Sequence, residues 1–210
     1  MSARPKAQTS EEQRFNLAFF RCKSDNEPKP RTLTWREFVE AFQNPVFRRQ
    51  KDGRLFSPAV FIGLRAKANV ECVSMLILDY DHYANLEDDQ LVWQELGICF
   101  VVYTTHSHLR KTARNENAEQ RFRIVIPLAV PIPAKDFPRL WRWAADKSRG
   151  KIDHSASDAS RMYYMPSKAS PNAEYVFKGI SGSLLDWRTL GLPEITQVKS
   201  VQTQLDHTSN

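Results

Sequence analysis

Three segments of the chain are almost continuously apolar: residues 72–79 (CVSMLILD), 98–104 (ICFVVYT) and 122–128 (FRIVIPL). Apolar runs of this length between polar stretches predict strands covered on both faces, the middle of one sheet. The third should end where Pro127 and Pro131 stop pairing. A further strand is expected over 14–22 (RFNLAFFRC), and the loop 24–31, with Pro28 and Pro30, should break it. Thr34 followed by Glu37 is a capping-box pattern. It opens a helix over 35–43 with Trp35, Phe38, Val39 and Phe42 on one face. After a turn at Asp52-Gly53, residues 55–62 predict a strand interrupted by Pro58. Asn85 can cap a helix over 86–96 whose first turn carries Glu87, Asp88 and Asp89. Residues 109–120 are polar and charged, a loop. Phe137, Leu140, Trp141 and Ala144 fall at helical spacing, predicting a helix to Lys147. Short strands follow at 162–165 and 175–178. Strands and helices mixed in this order predict an α/β or α+β protein built on one central sheet. One folded unit is expected over 13–190, between disordered ends at 1–12 and 191–210.

A chain of 210 residues can bury a real core. No stretch approaches eighteen apolar residues, so no membrane span is expected, and the polar N-terminus predicts a cytoplasmic protein. Cys22, Cys72 and Cys99 sit singly in apolar runs, the usage of reduced core thiols rather than of a zinc site or a disulfide framework. The net charge of +6 is compatible with a polyanionic partner. Its distribution says more. Residues 1–70 hold 14 Lys and Arg against 7 acids, residues 71–100 hold 7 acids and no Lys or Arg, and residues 101–210 hold 16 against 10. An acidic centre between basic flanks suits a metal site beside phosphate-binding surfaces, although solvated charged faces would give the same count.

Asp79 and Asp81 close the first apolar run. On a strand, residues i and i+2 point to the same side, so both carboxylates can converge on one point. Two carboxylates that close repel unless a cation lies between them, and all-oxygen ligation suits Mg²⁺ or Mn²⁺. The second run exits through Tyr103-Thr104-Thr105-His106-Ser107-His108, where His106 and His108 could pair on a metal or the hydroxyls could meet a phosphate or sugar. Arg121 and Arg123 flank Phe122 and should share a face, a clamp for a triphosphate or a pair of exposed ion-pair partners for Glu116 and Glu119. Ile152-Asp153 repeats the apolar-then-acid step and could bring a third carboxylate, with Asp158 as its rival. Ser160, Arg161 and Lys168 offer further phosphate contacts.

The stretches LILDYDH, VVYTTHSH, RFRIVIPL and DASRMYYMPS together resemble the archaeo-eukaryotic primase superfamily, and within it the primase-polymerase domains of plasmid and phage replication proteins. The resemblance covers residues 75–167. It implies an RRM-like antiparallel or mixed sheet as catalytic core, joined to a second small α/β lobe. It also implies two divalent ions, Mg²⁺ or Mn²⁺, on Asp79, Asp81 and Asp153. A small-x-His motif would contact the incoming nucleotide's triphosphate, and that motif is either Thr104-Thr105-His106 or replaced by Arg121-Phe122-Arg123. On this reading His106, His108, Arg121, Arg123, Ser160, Arg161 and Lys168 bind the nucleotide. The partners would be a single-stranded DNA template and primer, NTP or dNTP, and a replicative helicase domain or protein.

Two other classes fit parts of the pattern. A replication initiator of the HUH type would use His106 and His108 on a metal and Tyr163 or Tyr164 as nucleophile. A non-catalytic nucleic-acid-binding module on an RRM-like sheet would need neither, and leaves the Asp-x-Asp pair without a purpose.

Overall fold

The computed structural model of the protein describes residues 12–111 and 118–192. The ends expected to be disordered lie almost wholly outside the described residues, as does the middle of the loop expected at 109–120. The chain runs β1 (Arg14–Phe20), β2 (Lys29–Thr34), α1 (Trp35–Gln43), β3 (Val46–Phe47), β4 (Leu55–Ser57), β5 (Ala59–Phe61) and β6 (Val70–Tyr80). It continues through α2 (Leu86–Gln94), β7 (Phe100–Thr104), β8 (Phe122–Pro133), α3 (Phe137–Lys147), β9 (Tyr163–Tyr164), β10 (Ser167–Lys168) and β11 (Phe177–Ile180). This is the α+β class that the sequence predicts.

A five-stranded sheet of order β11-β7-β8-β6-β5 forms the centre, with every neighbouring pair antiparallel. Within it β6-α2-β7-β8-α3 is the β-α-β-β-α run of a ferredoxin-like unit. Strands from outside that run, β5 and β11, take the two edges. A second sheet of order β2-β1-β4-β9 packs nearby, and β3 pairs in parallel with β10.

The alternation along β6 explains why its sequence is apolar throughout. Leu76, Leu78 and Tyr80 enter one core with Trp93 of α2 and Leu140 and Trp141 of α3. Met75 and Ile77 enter another with Phe38 and Phe42 of α1, Phe15 of β1 and Phe56 of β4. Both faces of the sheet are therefore covered, and each fully buried Leu or Ile contributes about 1.5–3 kcal/mol. The capping box is formed as expected, Glu37 N–H donating to Thr34 Oγ1 at 3.1 Å and Thr34 N–H to Glu37 Oε2 at 2.7 Å. Asn85 caps α2 by accepting from Glu87 and Asp88 N–H.

Prolines account for the boundaries that differ. Pro30 lies inside β2 rather than in a loop, and β2 is an edge strand, where a missing donor costs no ladder bond. Pro58 divides 55–62 into β4 of one sheet and β5 of the other, and its carbonyl accepts from Ser74 N–H and Oγ. Strand β8 does not end at Pro127 but runs to Pro133. Its pairing with β7 stops at Val125, and the Pro127 carbonyl, on the side that β7 has left, accepts from Leu185 N–H. A residue's N–H and C=O leave a strand on the same side, so Pro127 breaks no bond to β6. The thiols are free, and they divide. Cys99 is buried and Cys72 half-buried, whereas Cys22 is exposed and not a core residue. Among the described residues no helix is long and apolar enough to cross a membrane.

Leu78 and Leu91 test the covered sheet against an exposed helix face. Leu78→Ala, at a wholly buried position, should cost about 2–5 kcal/mol in denaturant unfolding. Leu91→Ala, at a half-exposed position of α2, should stay within about 0.5 kcal/mol. Equal losses would contradict this packing.

Candidate metal centre and cleft

Register decides the first contact. Asp79 on β6 stands opposite Arg123 on β8, both on the face that carries Met75, Ile77 and Val125. Arg123 Nε donates to Asp79 Oδ1 at 3.1 Å and Nη2 to Oδ2 at 3.0 Å, while Nη1 donates to the Tyr164 carbonyl at 3.2 Å. The guanidinium also lies 5.1 Å from the centroid of the Tyr163 ring. The two side chains are 6% and 5% exposed. Burial pulls the Arg123 pKa down, but the adjacent Asp79 carboxylate more than offsets this, and the net shift is upward. Arg123 is thus committed within the protein rather than open as a triphosphate clamp.

Asp81 follows the last residue of β6. The chain after α3 returns beside this strand end, with Tyr80 bridged to Ile152 and Asp153 N–H donating to the Asp79 carbonyl at 2.8 Å. Those contacts carry the third acid to the first two. One ligand oxygen each from Asp79, Asp81 and Asp153 lies within 4.8 Å of the others. Tyr80 fixes the strand end from the opposite face, stacking on Phe122 at 4.7 Å and accepting from Trp93 Nε1 at 3.0 Å.

The three carboxyls have different surroundings. Burial, and then the charge of Asp79, push the pKa of Asp81 up. Burial acts the same way on Asp153, but Ser155 N–H and Oγ, which both donate to it, and Arg161 more than offset it, so the net shift is downward. Asp79 has the Arg123 guanidinium as partner but Asp81 has no bonded cation of its own among the described residues, and two carboxyls that close suit a bound cation. The donor set fits a hard divalent ion: all oxygen, from three separate side chains. Arg123 takes two of the roughly four lone-pair sites of Asp79, which leaves the others for a metal.

Beside the acids lies a cleft of ≈ 580 Å³ whose walls carry Lys23, Lys51, Arg65, Arg123 and Arg161. Arg65 reaches the Ser160 carbonyl at 3.5 Å and leaves its buried Nε without a partner among the described residues, so much of its donor capacity is uncommitted. Packing around the Lys51 ammonium, and then the charge of Arg123, lower the pKa of Lys51.

Of the residues expected from the sequence to meet nucleotide, only Arg123 and Arg161 line this cleft. His106 is buried with Nε2 2.9 Å from the Arg48 carbonyl, and His108 Nδ1 accepts from Arg121 N–H at 3.1 Å. Arg121 pairs with Glu119 at 3.4 Å, and Lys168 Nζ donates to the Pro171 carbonyl at 2.6 Å. Ser160 is buried and donates through N–H and Oγ to Asp158 Oδ1, both at 2.9 Å. Asp158 therefore caps a turn at the cleft wall, and Asp153 is the third member of the acid cluster. Lys23, Lys51 and Arg65 were not singled out from the sequence, since each is one basic residue among many in loops.

The Asp81 shift has a consequence for stability. A carboxyl whose pKa is raised on folding holds its proton more tightly in the folded state, so stability is lost as pH rises from the ordinary carboxylate range through the raised value. Asp81→Asn should therefore melt above the metal-free wild type at neutral pH, with the difference vanishing below about pH 3. Adding Mn²⁺ should raise the melting temperature of the wild type and leave Asp81→Asn nearly unmoved. An identical response of both proteins to Mn²⁺ would remove Asp81 from the metal site.

Comparison with known proteins supplies an independent placement. No curated protein matches the chain. The solved AEP domain (PP-N190) of the cyanophage S-2L primase-polymerase matches with a TM-score of 0.49 and 13% identity, over 83% of this chain and 86% of that one. Residues 53–191 match the VapE N-terminal domain family, a span that holds all three acids together with Arg65, Arg123 and Arg161. That match takes in well over half of the sequence, and the chain belongs to the VapE N-terminal domain family.

Proposed function

We propose that this chain is a template-directed nucleotidyltransferase, a primase-polymerase catalytic domain that joins nucleotides on single-stranded DNA. The observation that carries the reading is the convergence of Asp79, Asp81 and Asp153 at the edge of a cleft walled by five cationic side chains. Opposite charges in two adjoining zones are what a metal-nucleotide substrate presents: cation next to acid, phosphates next to base.

Asp79, Asp81 and Asp153 would hold Mg²⁺ or Mn²⁺. When bound, such ions neutralise charge on the attacking and leaving oxygens of an in-line displacement. The protein's own groups do the rest. Lys23, Lys51, Arg65 and Arg161 hold the triphosphate in place of the set built on His106, His108 and Lys168. Arg123 fixes the Asp79 carboxylate through both oxygens and so sets its direction. Strand growth joins the 3′ oxygen to the α-phosphorus and releases pyrophosphate, the hydroxyl proton passing to solvent.

The two rival readings have less support. A tyrosine nickase needs a metal on His106 and His108, yet one ring nitrogen of each is taken, Nε2 of His106 by the Arg48 carbonyl and Nδ1 of His108 by Arg121 N–H, and the clustered potential ligands among the described residues are the three acids instead. Burial also pushes the Tyr163 hydroxyl pKa well up, away from a nucleophile's. An RRM-type module binds strands on an open sheet face, whereas both faces of this sheet are covered by core.

Labelled nucleotide, primed single-stranded DNA and Mn²⁺ test the reading directly. Wild type should extend the primer, and Asp81→Asn should lose about a hundredfold or more of that rate while still binding DNA. Extension by Asp81→Asn at near wild-type rates would overturn the metal assignment. Arg65→Ala should raise the nucleotide KM about tenfold, the scale of a hydrogen bond to a charged group, without weakening DNA binding. Lost DNA affinity at unchanged nucleotide KM would give that wall to the template instead.

A further inference from the structure

The acid cluster has a second side. Asp81 and Asp153 also line another cleft of ≈ 580 Å³, which continues over His82 and Tyr83 and along Arg149 and Lys151. The two clefts meet at Asp81, which lines both. Their charges differ. The first sets five cationic side chains against the carboxylates of Asp79, Asp81 and Asp158. The second sets Arg149 and Lys151 against Asp81 and Asp153, and Lys151 Nζ is tied to Asp89 at 2.7 Å. A triphosphate belongs in the first cleft on charge alone. The second suits a ligand with less charge and more ring.

Tyr83 supplies the ring. It is 90% exposed, the most exposed large apolar side chain among the described residues, where Ile62 at 69% is next. It is also held at φ +52°, in the left-handed region that a bulky residue rarely enters. The backbone there turns between Asp81 at the end of β6 and the Asn85 cap of α2, so the conformation is imposed by elements fixed on both sides. An exposed ring and a left-handed backbone thus meet at one residue of the cleft wall. Across from it α3 ends in a turn whose Arg149 and Gly150 are likewise left-handed, at +54° and +72°. Gly150 N–H donates to the Ala145 carbonyl, and the turn leaves Arg149 exposed at the mouth before Ile152 and Asp153 reach the acids.

From this geometry we infer that the second cleft binds the 3′-terminal nucleotide of a nucleic-acid strand, its base stacked on Tyr83 and its phosphate facing Arg149. The inference rests on the nucleotidyltransferase reading and adds a direction to it. The strand end approaches the acids from the Tyr83 side and the triphosphate from the Lys51 side, so attacking and leaving oxygens lie on opposite sides of Asp81. Stacking on an aromatic ring tolerates any base, which fits a strand end of varying sequence. Tyr83 is then a binding residue for the strand and not a member of the phosphate-binding set.

Two measurements separate this inference from the reading beneath it. In primer extension, Tyr83→Ala should raise the KM for primed template about tenfold and leave the nucleotide KM unchanged, the reverse of Arg65→Ala, while Tyr83→Trp should stay near wild type. In binding without turnover, a primer carrying 2-aminopurine at its 3′ end should be quenched by wild type and by Tyr83→Trp but not by Tyr83→Ala. Circular-dichroism melting should be the same for all three, since the side chain is exposed. An unchanged primer KM with equal quenching by Tyr83→Ala would overturn the inference, as would a rise confined to the nucleotide KM. Tyr83-dependent quenching in a protein that extends no primer would support the strand site and sink the enzymatic reading alone.

Discussion

The pairing of Asp79 with Arg123 across β6 and β8 is the contact on which the site depends. It places a carboxylate at the end of a covered strand, where bare charge would otherwise be intolerable. A buried ion pair is not in itself a large source of stability, because taking both ions from water offsets most of their attraction. Removing one partner is another matter and typically costs about 3–5 kcal/mol, since the other charge stays behind in the core. Asp79 is thus a structural residue as well as a member of the acid cluster to which we assign the metal. Asp81, half-buried and without such a partner, reports on chemistry with less interference from folding.

The rest of the architecture serves that pair. Tyr163 and the Tyr164 carbonyl bring the four-stranded sheet onto the guanidinium, so the second sheet is tied to the first at the site itself. On the opposite face Tyr80, Phe122 and Trp93 lock the same strand end with stacking and a hydrogen bond. The acids are held from both sides of the sheet, and the segments that carry Lys23, Lys51 and Arg65 follow β1, precede β4 and follow the edge strand β5.

Much of this was legible in the residues. Asp79 and Asp81 stood out because they close an apolar run, where carboxylates are rare without a reason, whereas Asp153 follows one apolar residue and had Asp158 as its rival. Helix α1 was legible to the residue and α3 in its buried face and approximate end, because a capping box and an amphipathic spacing are local signals. The partner of Arg123 was not legible, for the opposite reason. Its spacing with Arg121 says only that the two share a face, and what stands across from it is fixed by strand register, a tertiary fact. His106 belongs to the same class: nothing local announces that the Arg48 carbonyl will cover it. Lys23, Lys51 and Arg65 lie in irregular segments with no period to mark them, so only the basic surplus of residues 1–70 pointed their way. Prolines misplaced strand boundaries wherever an edge position or a departed neighbour excused the missing donor, as at Pro30 and Pro127.

The bond from Asp153 N–H to the Asp79 carbonyl, with the bridge between Tyr80 and Ile152, has a bearing on how the molecule comes together. It joins segments separated by two strands and two helices, so a very long loop must close before the third acid arrives. Contacts of such separation form late, after the local hairpins and helices. Until then the chain carries only the adjacent acids Asp79 and Asp81, too few to hold a divalent ion firmly. The acid cluster is therefore an end product of folding rather than its nucleus, unlike small zinc domains in which the ion itself drives the fold. A nascent chain that has not yet made α3 and the turn after it has no completed centre at which to bind metal.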